Sequence, residues 1–239
     1  MTCIIEKILT RSTLSLACLC GLTLPALSAA KVHVVALGKS NSVPWPEEFN
    51  GADAKPSILR IRPLLVDNQI KELTLGPAHE VTDRLFVIRR AFRVNDRLPQ
   101  EPAAPHWQWQ RGGWLLVDRL SGRISSLNLP EFDPFYSTVS WYRDYAAYCG
   151  VSEDGKKIFA IVAQITRRKP VLKKTLEGIS LAEADDKHSS PDSLCPEPEW
   201  QRSPARVSFD LPGSLKQTYA IRGHVVDLIT EEEDEEAEK

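Results

Sequence analysis

Two acids lead the search for chemistry in this chain of 239 residues. Asp133 lies at an Asp133-Pro134 turn, and Asp144 sits between aromatics in Tyr142-Arg143-Asp144-Tyr145. Two carboxylates about 5–10 Å apart can hydrolyse a glycosidic bond, one as acid and the other as base or nucleophile. Both have ordinary duties open to them as well: a turn cap at Asp133, and a strand-end salt bridge for Asp144 or Arg143. Metal chemistry finds less support. His33, His79, His106, His188 and His224 are scattered, with no His-x-x-x-His and no Cys-x-x-Cys. Nothing has the spacing of metal ligands. A Gly-x-Ser-x-Gly elbow and a glycine-rich phosphate loop are missing too, so no cofactor is expected.

Binding chemistry is better represented. Trp141, Tyr142, Tyr145 and Tyr148 crowd one stretch, and Trp107, Trp109 and Trp114 crowd the one before it. Aromatic residues beside arginine are common anchors of protein and sugar surfaces. Most of these rings are expected in the core, which a β domain must fill with large side chains. The candidates for a binding surface are Arg90, Trp141, Tyr142, Arg143 and Asp144. Arg90 falls on an apolar face if its segment is a strand. It then needs a partner acid, a bound anion, a bulge that turns it outward, or a helix in place of the strand. The basic run Arg167-Arg168-Lys169, continued at Lys173-Lys174, reads as a solvated strand end.

The elements that would position these groups centre on VSWYRDYAAYCGVSEDGKKIFAIVAQI, residues 139–165. Two apolar runs, Tyr145 to Val151 and Lys157 to Ile165, flank a Ser152-to-Lys156 turn built on Asp154-Gly155. In the second run Ile158, Ala160 and Val162 share one face, and Phe159, Ile161, Ala163 and Ile165 share the other. Apolar on both faces, it reads as an interior strand covered on both sides.

Outside that hairpin the pattern is of short strands. Val32 to Leu37 reads as a strand and Gly38 to Pro56 as a loop. Ile58 to Val66 alternates, with Pro63 demoting it to an edge strand or marking a bulge. A short strand near Lys71 to Leu75 follows a turn at Asp67-Asn68. Val81 to Val94 fits a helical face through Val81, Leu85, Ile88 and Phe92, but its β-branched content favours a strand. After a proline-rich linker, Gly112-Gly113 reads as a turn and WLLVDRLSGRISSLNL as a hairpin turning at Arg119 to Gly122. Residues 173–204 are polar and proline-rich, a long loop. Val207, Phe209 and Leu211 share a face, and Tyr219 to Ile229 supplies one or two closing strands.

With about ten to twelve strands and no clear helix, the chain is expected to be all-β, an antiparallel meander of propeller-like or sandwich-like form. WLLVDRLSGRISSLNL resembles the strand, Asp-x-x-x-Gly turn and strand of repeat propellers. SWYRDYAAYCGVSEDGKKIFAIV is similar to the Trp, strand, Asp-Gly turn and strand of other propeller blades. The chain as a whole resembles exported bacterial proteins, a likeness that implies no particular activity.

An export address comes from the first thirty residues. Lys7 and Arg11 precede an apolar run, Leu14 to Leu24, then Pro25 and the small residues Ala26 to Ala30. That is the order of a secretory signal peptide, cleaved after Ala30. The run is short of the about 20 residues that cross a bilayer. Cys18 and Cys20 fit a lipobox poorly. Cleavage leaves Cys149 and Cys195, which in an oxidising compartment are expected to pair. Closing that loop would contribute on the order of 3–4 kcal/mol. Residues 231–239, EEEDEEAEK, carry −6 and should be disordered. Residues 31–230 hold 27 basic against 24 acidic side chains, too slight an excess for nucleic acid. The expected protein is one β-rich domain over 31–230, periplasmic or extracellular. Its expected role is to bind an envelope protein or glycan, with a carboxylate-pair hydrolase as the alternative.

Overall fold

The structure is a computed structural model that describes residues 32–45, 57–100, 104–167, 169–176, 195–210, 216–222 and 225–229. The expected leader over 1–30, the acidic tail over 231–239 and Leu211 lie outside them. The described residues form strands and no helix.

The first sheet holds β1 (Val35–Leu37), β2 (Asn41–Trp45), β3 (Ser57–Val66), β4 (Gln69–Glu80), β5 (Leu85–Asn95), β6 (Trp107–Asp118) and β7 (Ile124–Leu127). Its order is β1-β3-β4-β5-β6-β7, with β2 also on β3. A second sheet runs β11-β10-β9-β8, from β8 (Ser140–Tyr142), β9 (Tyr145–Val151), β10 (Ile158–Gln164) and β11 (Leu172–Leu176). A third follows chain order through β12 (Glu199–Arg202), β13 (Ala205–Phe209), β14 (Gln217–Arg222) and β15 (Val225–Ile229). Every pairing is antiparallel and no sheet closes into a barrel. The all-β meander expected from the sequence is therefore the fold. Of the two blade-like segments, one lies in β8 to β10 of a four-stranded meander. The other forms β6 and β7 inside the seven-stranded sheet.

The second sheet is the middle layer. Ala147, Cys149, Ile158, Ala160 and Val162 pack on Val207, Phe209, Tyr219 and Ile221 of the third sheet. Ala146, Tyr148, Ile161 and Ala163 face the other way, against Leu129, Val139, Trp114 and Leu127. The two faces predicted for β10 are the two faces observed. Each large side chain buried here contributes about 1.5–3 kcal/mol. The Cys149–Cys195 disulfide joins β9 to the chain just ahead of β12, with Cα atoms 6.2 Å apart.

Several local expectations are corrected. β2 occupies part of the expected 38–56 loop and buries Trp45. β3 is interior, not an edge, because Pro63 falls where β1 and β2 succeed each other along it. Gly112-Gly113 is no turn; the two residues sit inside β6 opposite Arg90, as a bulge between Arg89↔Trp114 and Ala91↔Arg111. The 173–204 loop is shortened at both ends by β11 and β12. β11 buries only Leu172 and Leu176 around three exposed residues, so it has no alternation to read. The 81–94 segment resolves to a turn followed by β5, with Thr82 Oγ1 accepting from the Leu85 amide at 3.0 Å.

Two expectations test this account. Replacing Cys149 and Cys195 together by alanine should cost about 3–4 kcal/mol in urea unfolding. Reductant should bring the wild type to the variant's midpoint and leave the variant unmoved; an unmoved wild type would mean that the cross-link contributes nothing. The second concerns Asp118, which accepts from Arg84 Nε at 2.7 Å, from the Ser121 hydroxyl at 2.8 Å and from the Leu120 amide at 2.9 Å. The Arg84 guanidinium above all holds this carboxyl well below the usual range. A depressed folded pKa stabilises above the unfolded value, about 3.9, and that stabilisation fades as pH falls below it. Asp118→Asn should thus melt below wild type at pH 7, with the gap narrowing under about pH 4. A gap undiminished between pH 7 and pH 2.5 would assign the loss to packing.

Candidate functional site

A large cleft among the described residues arises where two strands part company. The β3–β4 ladder runs from Val66↔Gln69 to Ile61↔Leu75 and stops there. Gly76, at φ 66°, takes β4 away from that line, and its carbonyl accepts from the Arg62 guanidinium. β4 regains register with β5 at His79↔Val87. β3 meanwhile continues alongside β2 to Ser57↔Trp45. The divergence leaves a cleft of about 660 Å³. Residues 58–60 of β3 and 75–79 of β4 line it, 138–141 close another side, and β5 and β6 contribute Arg89, Arg111 and Trp114. Leu75, Arg89 and Trp114 are direct partners across β4, β5 and β6, which puts them on one face of the sheet.

Aromatic packing shapes the side next to β8. The Trp141 and His79 rings stack with centroids 5.5 Å apart and planes 20° apart, and Trp114 meets Trp141 edge-on at 5.0 Å. His79 Nε2 hydrogen-bonds the Arg143 carbonyl at 2.7 Å, which ties β4 to the β8–β9 turn. The indole N–H groups of Trp114 and Trp141 are buried without a hydrogen-bond partner. A donor left so costs about 1–3 kcal/mol, recovered by any acceptor that reaches it.

Charge is the second feature. Among the described residues, Arg60, Arg89, Arg111, His79 and the acid Glu197 line the cleft. Arg60 is exposed. Arg89 Nε donates to the Gly112 carbonyl at 3.2 Å, and its guanidinium also reaches the Pro134 carbonyl. Arg111 lies over the Trp45 ring, 3.9 Å from its centroid. A carbonyl or a ring helps to orient a guanidinium, whose planar fork suits a carboxylate.

Of the five candidates for a binding surface, Trp141 alone lines this cleft, and Trp114 and His79, noted in the sequence for other reasons, line it as well. Tyr142 packs on Trp200 at 5.3 Å and donates to the Arg202 carbonyl at 3.3 Å, linking the second and third sheets. Arg143 occupies the tight turn at φ 54°, its guanidinium 5.3 Å from the Tyr142 ring centroid. Asp144 accepts from Gln164 Nε2 at 2.7 Å. Arg90 is exposed and pairs with Glu72 at 2.9 Å, so it neither fills the core nor reaches the cleft. It does share a face with Ile88 and Phe86, but the buried cluster on that face ends at Ile88. The cleft arginines went unnoticed because Arg60, Arg89 and Arg111 come from three strands and meet only through register.

The two acids are not brought together. Asp133 caps its own turn, accepting from the Phe135 and Tyr136 amides at 2.7 and 3.0 Å. Its neighbour Ser137 donates to the Cys149 carbonyl at 2.6 Å. Asp144 precedes β9 and stands five positions earlier than Cys149, about 16 Å along an extended strand. The two acids thus stand towards opposite ends of β9. Among the described residues no three His, Cys, Asp or Glu side chains converge as a metal site. Comparison with protein-family models, curated proteins and solved structures finds no match to this chain.

Gly76→Ala tests the origin of the cleft. An added Cβ meets no atom within 4 Å, so any loss reports the left-handed backbone alone. Urea unfolding should show a cost of about 1–2 kcal/mol. An unchanged midpoint would mean that β4 leaves β3 for another reason.

Proposed function

We propose that this chain is an exported, non-enzymatic interaction module of the cell envelope that takes an anionic ligand in the cleft beside β8. The stacked Trp141 and His79 rings, the buried indole N–H groups of Trp114 and Trp141 and the exposed Arg60 carry the reading. A concave site that offers buried donors and an exposed guanidinium can hold an anion by charge-assisted hydrogen bonds. The export address rests on the order of residues 7–30 and agrees with the Cys149–Cys195 bond. No helix among the described residues is long and apolar enough to cross a membrane. Catalysis is not part of the proposal, because Asp133 and Asp144 are held at a distance by separate structural duties.

The test places a photo-reactive phenylalanine at Ile58, an exposed position lining the cleft, and at Lys156 in the remote β9–β10 turn. Crosslinking in the envelope should give a discrete adduct from position 58 and none from position 156. Arg60→Glu should reduce that adduct about three- to tenfold, as reversal of a rim charge slows capture of an anion. Equal adducts from both positions, no adduct at all, or indifference to Arg60→Glu would each overturn the reading.

A further inference from the structure

The turns of the second and third sheets gather positive charge at one end. The Ser140 carbonyl of β8 accepts from the Trp200 indole at 3.2 Å, and two residues further along the Tyr142 hydroxyl donates to the Arg202 carbonyl at 3.3 Å. β8 and β12 therefore run in the same direction. The Cys149–Cys195 bond agrees, because it joins the far part of β9 to the chain entering β12. Both sheets are antiparallel meanders, so the β8–β9, β10–β11, β12–β13 and β14–β15 connections fall at this one end. They bring Arg143, Arg167, Lys169, Arg202 and Arg222 together, all exposed. None of the five makes an ion pair among the described residues. Of the acids described nearby, Asp144 accepts from Gln164, Glu80 of the first sheet is engaged by Arg119, and Asp227 stands further in, opposite Ala220. The opposite end mixes the signs, with Glu153 and Asp154 beside Lys156 and Lys157, and Glu199 paired with Lys216.

We infer that this basic end docks on an anionic phospholipid bilayer, held at the headgroups by charge and without insertion. The surface shares no residue with the cleft and does not depend on its ligand. Protein partners are anchored chiefly by aromatic side chains that pack into pockets. Here the aromatics behind the cations, Tyr142, Tyr145 and Trp200, are half-buried and packed on one another. The other exposed residues described in these turns are Thr166, Ser203 and Pro204. The surface thus offers charge without an apolar anchor, and charge alone draws a basic segment to lipid phosphates. Its cations stand on two layers about 10 Å apart, so several headgroups in one plane can be met together. Each Lys or Arg brought to an anionic leaflet strengthens partitioning about fivefold. The basic run at Arg167 to Lys169, a solvated strand end when read alone, becomes one corner of that plane.

The test is co-sedimentation with vesicles, using the protein in the form that cells accumulate. One set of vesicles is phosphatidylcholine alone, the other phosphatidylcholine and phosphatidylglycerol in equal parts. Binding should be confined to the mixed vesicles. It should fall at least about tenfold as salt rises from about 0.1 to 1 M, which shortens the screening length from about 10 to 3 Å. Arg167→Gln, Arg202→Gln and Arg222→Gln combined should weaken it at least about thirtyfold. Lys156→Gln, Lys157→Gln and Lys216→Gln remove the same charge from the opposite end and should weaken it less than about threefold. Should the first triple variant fail to fold, Arg222→Glu takes its place, with a loss of at least about tenfold expected. Equal binding to neutral vesicles would assign attachment to apolar residues and overturn the inference. Equal losses from the two triple variants would assign it to overall charge and overturn it too, as would indifference to salt or no binding to either vesicle. Binding of soluble polygalacturonate by a chain that ignores the mixed vesicles would make a glycan the partner and overturn the bilayer.

Discussion

Burial of β10 on both faces is the constraint from which the remaining layers follow. A half-buried strand can sit at the surface of a sandwich, but Ile158, Ala160 and Val162 on one side and Ile161 and Ala163 on the other must all leave water. Only a layer on each side achieves that. The chain supplies the third sheet for the first set, and β6, β7 and the loop after them for the second. The fit is close enough to dictate residue size. A Cβ on Gly150 would come 2.3 Å from Ile161 Cδ1 and 3.1 Å from the Glu131 carbonyl oxygen. The loop and the middle sheet can approach so closely only because position 150 has no side chain. The Val151 amide then reaches the Glu131 carbonyl at 2.8 Å, and the Tyr148 hydroxyl reaches that of Pro130 at 2.7 Å.

The cleft depends on the same layering, although none of its cations belongs to the middle sheet. Its third side is the short edge strand β8 and the residues ahead of it. Three residues make few ladder bonds, so β8 relies on outside support. Trp200 of the third sheet donates its indole N–H to the Ser140 carbonyl at 3.2 Å and packs on Tyr142 and Tyr145. The disulfide fixes the chain just ahead of β12, on which Trp200 stands. From the first sheet, His79 holds the β8–β9 turn by its carbonyl. The aromatics that look like binding residues in the sequence are thus mostly fasteners. They hold in position the strand that presents Trp141.

What was legible in the sequence follows the physics of each signal. The central hairpin announced itself because period-two burial and an Asp-Gly turn agree locally, and Gly155 does adopt φ 69°. The Asp67-Asn68 turn was equally local, with both residues at positive φ, as a tight hairpin requires. Pro63 pointed to an edge or a bulge: β3 is interior, because the missing donor costs nothing where two partner strands succeed each other, and the β3–β4 register does shift close by, at Leu64/Leu65. Gly112-Gly113 misled because a pair of glycines serves a bulge as readily as a turn. β11 and β12 were hidden because β11 buries only its two end leucines and β12 half-buries only Trp200. The cleft was the least legible feature of all. It depends on the point where one ladder stops, which is set by a bulge in β4 and by the register of four strands, and no single segment carries that information.

The placement of positive charge completes the argument for a binding surface. Arginines on the outer parts of the first sheet engage carboxylates: Arg90 with Glu72, Arg84 with Asp118, and Arg119 with Glu80. Such exposed pairs add little stability, but they do keep the local field small. At the cleft the Gly112 and Pro134 carbonyls help to orient the Arg89 guanidinium, and the Trp45 ring helps to orient that of Arg111. Beside them Arg60 stays exposed and the indole donors of Trp114 and Trp141 are buried without an acceptor, so an acceptor that enters the cleft would recover what their burial costs.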